Sequence, residues 1–273
     1  MMKFTAVEGN RQRLDGGAMF GNVPKEMWKN WITPDEKNRI PLACRSLLVQ
    51  TEEKNILFDV GIGAFFEPKL RDRFGIEKEH VLLKNLEGLG LAEDDIDAIV
   101  LSHLHFDHAG GLLPAYGEVP RLLFPNAKIY LGREHWEHAQ KPPIRERASF
   151  IPEIMKLLSQ TPRLHLVEGE EHSDLKGLVK FVYSYGHTVG LMLSTIENTT
   201  FVSDLIPGVP WIHLPVVMGY DRYPELTITE KQAFLEQAVK NQTRLFFTHD
   251  PEQPWAQVKL DAKGRYQSCD LLF

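Results

Sequence analysis

Six consecutive residues, His103-Leu104-His105-Phe106-Asp107-His108, hold three imidazoles and one carboxylate. Such nitrogen and oxygen donors suit Zn²⁺, Mn²⁺ or iron. They follow the apolar run Ala98-Ile99-Val100-Leu101 and Ser102, and the run reads as a buried strand. Polar groups crowded at a strand end must find partners when they lose water, so a purely structural use would be costly. In an extended loop His103 and His105 can point to the same side, while Asp107 and His108 open a short helix and turn toward a neighbouring point. Four donors this close converge poorly on one ion, and the spacing favours two metal positions. Gly110 and Gly111, directly after, let the helix start press against other backbone where a Cβ would clash.

Three further donors each stand just past a predicted strand: His187 after 179–185, Asp204 after 200–203, and His249 after 245–248. Ends of buried strands are where α/β architectures place their ligands. A lone histidine beside a glycine is more often a turn residue. Three such placements downstream of the His-rich segment point instead to one shared site.

The elements that must position these residues follow from pattern. Residues 3–20 read as a hairpin turning at Asp15-Gly16-Gly17, and 46–50 and 56–60 as two strands joined by a polar turn. Helices are expected over 64–74, 81–86, 133–140 and 151–158, and over 229–240 with Ala233, Phe234, Ala238 and Val239 on its apolar side. Strands are expected at 128–131, 164–167, 191–196 and through a closing hairpin over 255–266. The segment 21–44, with Trp28 and Trp31, is expected to wrap the core or meet a partner subunit, and 141–160 to form a lid. The reading is a single domain over 1–273, with two sheets packed together and helices outside.

Composition narrows the function classes. Of 273 residues 43% are hydrophobic and 25% charged, ordinary for a globular chain. Thirty-one basic side chains against thirty-seven acidic leave a net charge of −6, without the basic stripe of a nucleic-acid groove. No nucleic acid partner is expected; a small anionic substrate stays open, since metal ions supply positive charge locally. Two cysteines, Cys44 and Cys269, exclude a disulfide framework and read as reduced thiols. No signal-peptide-like start and no apolar run near the roughly 20 residues of a membrane span are visible, so a cytoplasmic protein without membrane contact is expected.

With these residues in order, His103-x-His105-x-Asp107-His108, then His187, Asp204 and His249, the chain resembles the metallo-β-lactamase superfamily, nearest its lactonase-like and organophosphate-hydrolase-like branch. The resemblance implies a four-layer αβ/βα sandwich with a dinuclear site. It implies that His103, His105 and His187 hold one metal and Asp107, His108 and His249 the second, with Asp204 and a hydroxide bridging them. The cofactors implied are two divalent ions, zinc first, with manganese, iron or cobalt as alternatives. Asp107 is implied as the catalytic proton shuttle, and Asp59 as a carboxylate behind a ligand that fixes an imidazole tautomer; the other reading of Asp59 is a cap on the next turn.

The implied chemistry is attack by a metal-activated hydroxide on an ester, lactone or related bond in a small molecule. A phosphodiesterase or phosphotriesterase is one alternative, and a non-catalytic metal-binding sensor another. True β-lactamases of the superfamily generally lack the bridging aspartate, so Asp204 argues against antibiotic hydrolysis. Acyl-homoserine lactonases usually carry a tyrosine three residues after it, where Pro207 stands here. Tyr220 and Tyr223 are candidate substitutes, with packing as the favoured alternative, and His213 is a candidate pocket residue. His135 and His138, three apart on a helix, read as an exposed face. Phe20, Trp28, Trp31 and 141–160 could line a pocket or a homodimer contact.

Overall fold

The computed structural model describes residues 2–270. Two compact units emerge, the first built from residues up to Gln12 together with Ala43–Glu168, the second from Arg13–Leu42 together with the chain from Gly169 onward. Each contains a six-stranded mixed sheet and its own helices, so the expected α/β class holds.

In the first unit the strand order is Lys3–Val7, Ser46–Gln50, Asn55–Phe58, Ala98–Leu101, Lys128–Gly132 and Leu164–Val167. The first two pairings are antiparallel and the last three parallel. Ala98–Leu101 lies centrally and is buried at every residue, which explains its unbroken apolar sequence. Leu48, Leu57, Ile99, Leu101, Ile129 and Leu131 pack with Leu82 and Leu86 of helix Val81–Gly88, and with Ile154 and Leu158 of helix Pro152–Gln160.

In the second unit the order is Tyr266–Cys269, Trp255–Leu260, Arg244–Phe246, Thr199–Phe201, Leu191–Ile196 and Lys180–Ser184. Only the Thr199–Phe201 to Arg244–Phe246 pairing is parallel. Residues 21–42 belong to this unit, where Trp28, Ile32, Ile40 and Leu42 are buried with Leu191, Leu193, Leu245 and Phe247. Phe20 stacks between Trp211, with centroids 4.7 Å apart, and Trp28, at 5.4 Å.

Three expectations are corrected. Residues 3–20 form no hairpin. Lys3–Val7 pairs with Ser46–Gln50, while Gln12–Asp15 pairs with Arg39–Leu42. Asp15 is a helix cap: its Oδ1 accepts from Ala18 N at 2.9 Å and starts Gly16–Phe20. The expected helix 64–74 starts at Pro68 and the expected helix 229–240 at Pro224, each proline at a first-turn position where its missing N–H costs nothing. The inward face of Pro224–Asn241 carries Thr227, Lys231, Leu235 and Ala238, and Ala233 is exposed. Of the expected apolar side, Ala238 is buried and Phe234 and Val239 pack against the core, while Ala233 is not on that face. Among the described residues Cys44 and Cys269 form no disulfide, and no helix is long and apolar enough to cross a membrane.

Candidate metal centre

In the first unit, strand Ala98–Leu101 delivers the chain to Ser102 and His103, and a single helical turn, Phe106–Ala109, follows at once. That turn lies so close to the exit of the neighbouring strand that a Cβ on Gly111 would fall 2.0 Å from the Val60 carbonyl oxygen, and one on Gly110 2.2 Å from that of Ile62. The expected backbone approach is present, and it pushes the four donors together. The rings of His103 and His105 have centroids 4.4 Å apart, and those of His103 and His108 4.0 Å. Potential ligand atoms of His103 and His105, of His103 and His108, and of Asp107 and His108 lie within 4.8 Å of one another.

Each imidazole is oriented from behind. Asp59, fully buried, accepts His108 Nδ1–H at 2.7 Å and Ser102 Oγ–H at 2.7 Å on Oδ2, and Ser102 N–H at 2.7 Å on Oδ1. Ser102 Oγ in turn accepts from His103 Nδ1 at 3.0 Å. One carboxylate thus holds two histidines in the tautomer that presents Nε2 as the ligating atom. Asp59 does so from the left-handed backbone region, φ 52°, a conformation aspartate tolerates better than most residues. The capping alternative for Asp59 is displaced by these contacts, which reach 43 and 49 residues along the chain.

Behind His105 stands Glu146, whose Oε1 accepts from His105 Nε2 at 2.9 Å. Gln12 donates from Nε2 to Asp107 Oδ2 at 2.6 Å. Neither was found from sequence, because nothing local marks a residue 41 or 95 positions away from its partner. His135 and His138 also depart from the expected exposed face. His135 is fully buried, its Nε2 accepting from Leu104 N at 2.9 Å, and His138 Nε2 donates to Glu146 Oε2 at 2.7 Å.

In the second unit the three downstream donors meet. Asp204, buried just past Thr199–Phe201, sets Oδ2 3.2 Å from His187 Nε2 and Oδ1 3.3 Å from His249 Nε2. Ser203 before it sits at φ 44°, strain of about 1–3 kcal/mol held at the strand exit. His187 Nδ1–H donates to Asp221 Oδ1 at 2.8 Å, and Asp221 Oδ2 accepts Met218 N at 3.2 Å. Gly186 admits the first turn of helix Pro224–Asn241, where a Cβ would stand 2.4 Å from Thr227 N. His249 N is held by the Pro207 carbonyl at 3.0 Å.

The donor sets fit divalent cations. His103, His105, His108 and His187 each keep one ring nitrogen on an oxygen acceptor and leave the other for a ligand bond, the arrangement around protein-bound metals. Carboxylates complete each set in the proportions that zinc and its first-row neighbours accept.

The pocket candidates divide. His213 is half-buried in a cavity of about 730 Å³ in the second unit, with Trp31, Ile212 and Asp250 among its walls. Tyr220 and Tyr223 are exposed, and Arg222 lies 5.3 Å over the Tyr223 ring. Lys231 is buried on helix Pro224–Asn241, donating to the Val216 carbonyl at 2.5 Å and more weakly to that of His213 at 3.4 Å. Burial lowers its ammonium pKa to about 7, with the Asp221 carboxylate pulling the other way.

Comparison with known proteins agrees with this chemistry. Residues 39–249 match the metallo-beta-lactamase superfamily. The N-acyl homoserine lactonase AiiA of Bacillus thuringiensis subsp. kurstaki is 27% identical over 248 residues, covering 81% of this chain and 86% of that protein. A probable metal-dependent hydrolase from Staphylococcus aureus superposes with a TM-score of 0.85 at 27% identity, over 100% of this chain and 98% of the other. AidC, a dizinc quorum-quenching lactonase, shares the fold with a TM-score of 0.77 at 24% identity, over 100% and 95% of the two chains.

Proposed function

Because this chain belongs to the metallo-β-lactamase superfamily, whose α/β sandwich and hydrolytic chemistry it shares, we propose that it is a dinuclear metal-dependent hydrolase that opens an ester or lactone bond in a small molecule. His103, His105 and His187 would hold one divalent ion and Asp107, His108 and His249 the second, with Asp204 shared. The carrying observation is the Asp204 carboxylate, which sets its two oxygens against two different histidines, His187 and His249. A carboxylate so placed suits a ligand common to two ions.

Zinc is the first choice of metal. When bound, such a pair of ions would lower the pKa of a water held there toward neutrality and stabilise negative charge growing on the substrate oxygen. The chain's own groups prepare the rest. Asp59 and Ser102 fix His103 and His108, and Asp221 fixes His187, so that each ring meets its ion without rearrangement. Gln12 orients Asp107 through Oδ2, and Asp107 would carry a proton toward the leaving group. The apolar walls around His213 suit a substrate with a hydrocarbon portion, and Tyr220 or Tyr223 would supply the phenol that Pro207 cannot.

The N-acyl homoserine lactonase relatives support a lactone as the first substrate class. Metal analysis and hydrolysis of lactones, aryl esters, thioesters, phosphodiesters and phosphotriesters by one preparation test the reading. Two metal equivalents with turnover highest on lactones or esters are expected, and Asp204→Ala should lose both metal and more than 100-fold in kcat/KM, beyond what loss of an outer partner costs. Full turnover by that variant sinks the assignment. Higher rates on phosphoesters would select the phosphoesterase alternative, and two bound metals without any hydrolysis the sensor.

A further inference from the structure

Helix Arg133–Gln140 and the turn after it contain a chain of polar contacts that the proposed mechanism does not use. Glu146 is 5% exposed and divides its carboxylate between two imidazoles, Oε1 to His105 Nε2 at 2.9 Å and Oε2 to His138 Nε2 at 2.7 Å. A carboxylate only accepts, so both nitrogens carry the protons. For His105 this leaves Nδ1 as the ring nitrogen that can bind a metal, the reverse of His103 and His108, whose Nδ1 atoms face Ser102 and Asp59.

The position of Glu146 is itself constrained. Its N–H and that of Arg147 both reach the Pro143 carbonyl at 3.0 Å, and Ser149 N returns to the Glu146 carbonyl at 2.9 Å. Four residues on, Phe150 forms an antiparallel bridge with His105 and lays its ring 5.2 Å from the imidazole. The segment expected to be a lid is here a brace against the ligand loop. His135, one turn before His138, holds the same loop by its Leu104 amide.

We propose that Glu146 and His138 are positioning residues for one metal only: Glu146 locks His105 with Nδ1 toward the ion, and His138 locks Glu146. The inference rests on the dinuclear reading and sharpens it, because the two ions would then differ in how their ligands are backed. Removing the brace should weaken the ion that His105 binds and spare the one held by Asp107, His108 and His249.

The test titrates metal-free protein with Co²⁺ alone, following the visible spectrum against a competing chelator, and records imidazole ¹H–¹⁵N correlations of the metal-free form. The wild-type chain should bind two equivalents and show His105 protonated at Nε2. Glu146→Leu should lose about 10–100-fold in affinity for one equivalent, leave the other unchanged, and release His105 from its single tautomer. His138→Leu should weaken the same equivalent by less. Glu146→Gln, whose amide oxygen can still accept from His105, should restore most of the affinity. Wild-type affinity for both ions in Glu146→Leu overturns the proposal, as does equal loss of both with the fold intact. Should that variant not fold, Glu146→Asp decides: its withdrawn carboxylate must weaken one equivalent, and unchanged binding overturns the idea. A wild-type chain binding fewer than two equivalents overturns the dinuclear reading first, before any variant is made.

Discussion

The two units solve the same problem differently. In the first, four donors follow one another between His103 and His108, and the residues that orient them come from far along the chain: Gln12, Asp59 and Glu146. In the second, the donors themselves are scattered, at His187, Asp204 and His249, while Asp221 orients His187 across only 34 residues. Within the contiguous cluster His103 is met by the adjacent Ser102, and the orienting partners of the other three lie 41 to 95 residues away. The scattered donors each stand just past a separate strand, and the one orienting carboxylate, Asp221, comes from the loop before helix Pro224–Asn241.

The two glycine contacts break the comparison most severely. Gly111→Ala would drive a methyl group to 2.0 Å from the Val60 carbonyl, between a strand exit and the ligand turn, where neither side can retreat. A loss of more than about 3 kcal/mol is expected in urea unfolding. Gly186→Ala meets Thr227 N at 2.4 Å in the first turn of helix Pro224–Asn241, and about 1–3 kcal/mol is expected. Equal, small losses would show that the ligand turn of the first unit is not held by that close approach.

Orienting carboxylates come next. Asp59→Asn disturbs His103 and His108 together, so metal affinity should fall toward the upper end of the 10–100-fold range by chelator competition. Asp221→Asn disturbs His187 alone and should fall near the lower end. If Asp221→Asn proves the more damaging, the one-carboxylate, two-histidine account of Asp59 is wrong.

Last is Lys231, a cation buried on helix Pro224–Asn241 of the second unit. The unfolded chain keeps this proton up to about 10.5 and the native chain to about 7, so the unfolded state binds more protons between those values. Stability from this group therefore rises with pH across that window, and is lowest below about 7, where the charge must stay buried. Lys231→Met should flatten that part of a pH–stability profile measured by urea unfolding. A profile unchanged by the substitution would mean the lysine is hydrated in solution.

The difference between the units also explains what was legible in sequence. The seven proposed ligands were readable because their donor types recur at strand ends in an apolar-run context that survives in one dimension. Asp59 was readable only through resemblance. Gln12, Glu146 and Asp221 were not, since a buried hydrogen bond between distant residues leaves no periodicity. His135 and His138 were misread because a polar helix face toward solvent and one toward a buried polar network have the same spacing. Element boundaries slipped at Pro68 and Pro224, where a proline that looks like a breaker is a helix start.

The aromatic stack of Phe20, Trp28 and Trp211 has a practical corollary. Of the five tryptophans, Trp28, Trp31, Trp211 and Trp255 belong to the second unit and Trp136 alone to the first. Intrinsic emission will therefore report chiefly on how the second unit melts. A Trp136→Phe protein would make it report on that unit exclusively, so that early loosening of the histidine-rich loop would pass unseen by fluorescence and have to be caught by hydrogen exchange.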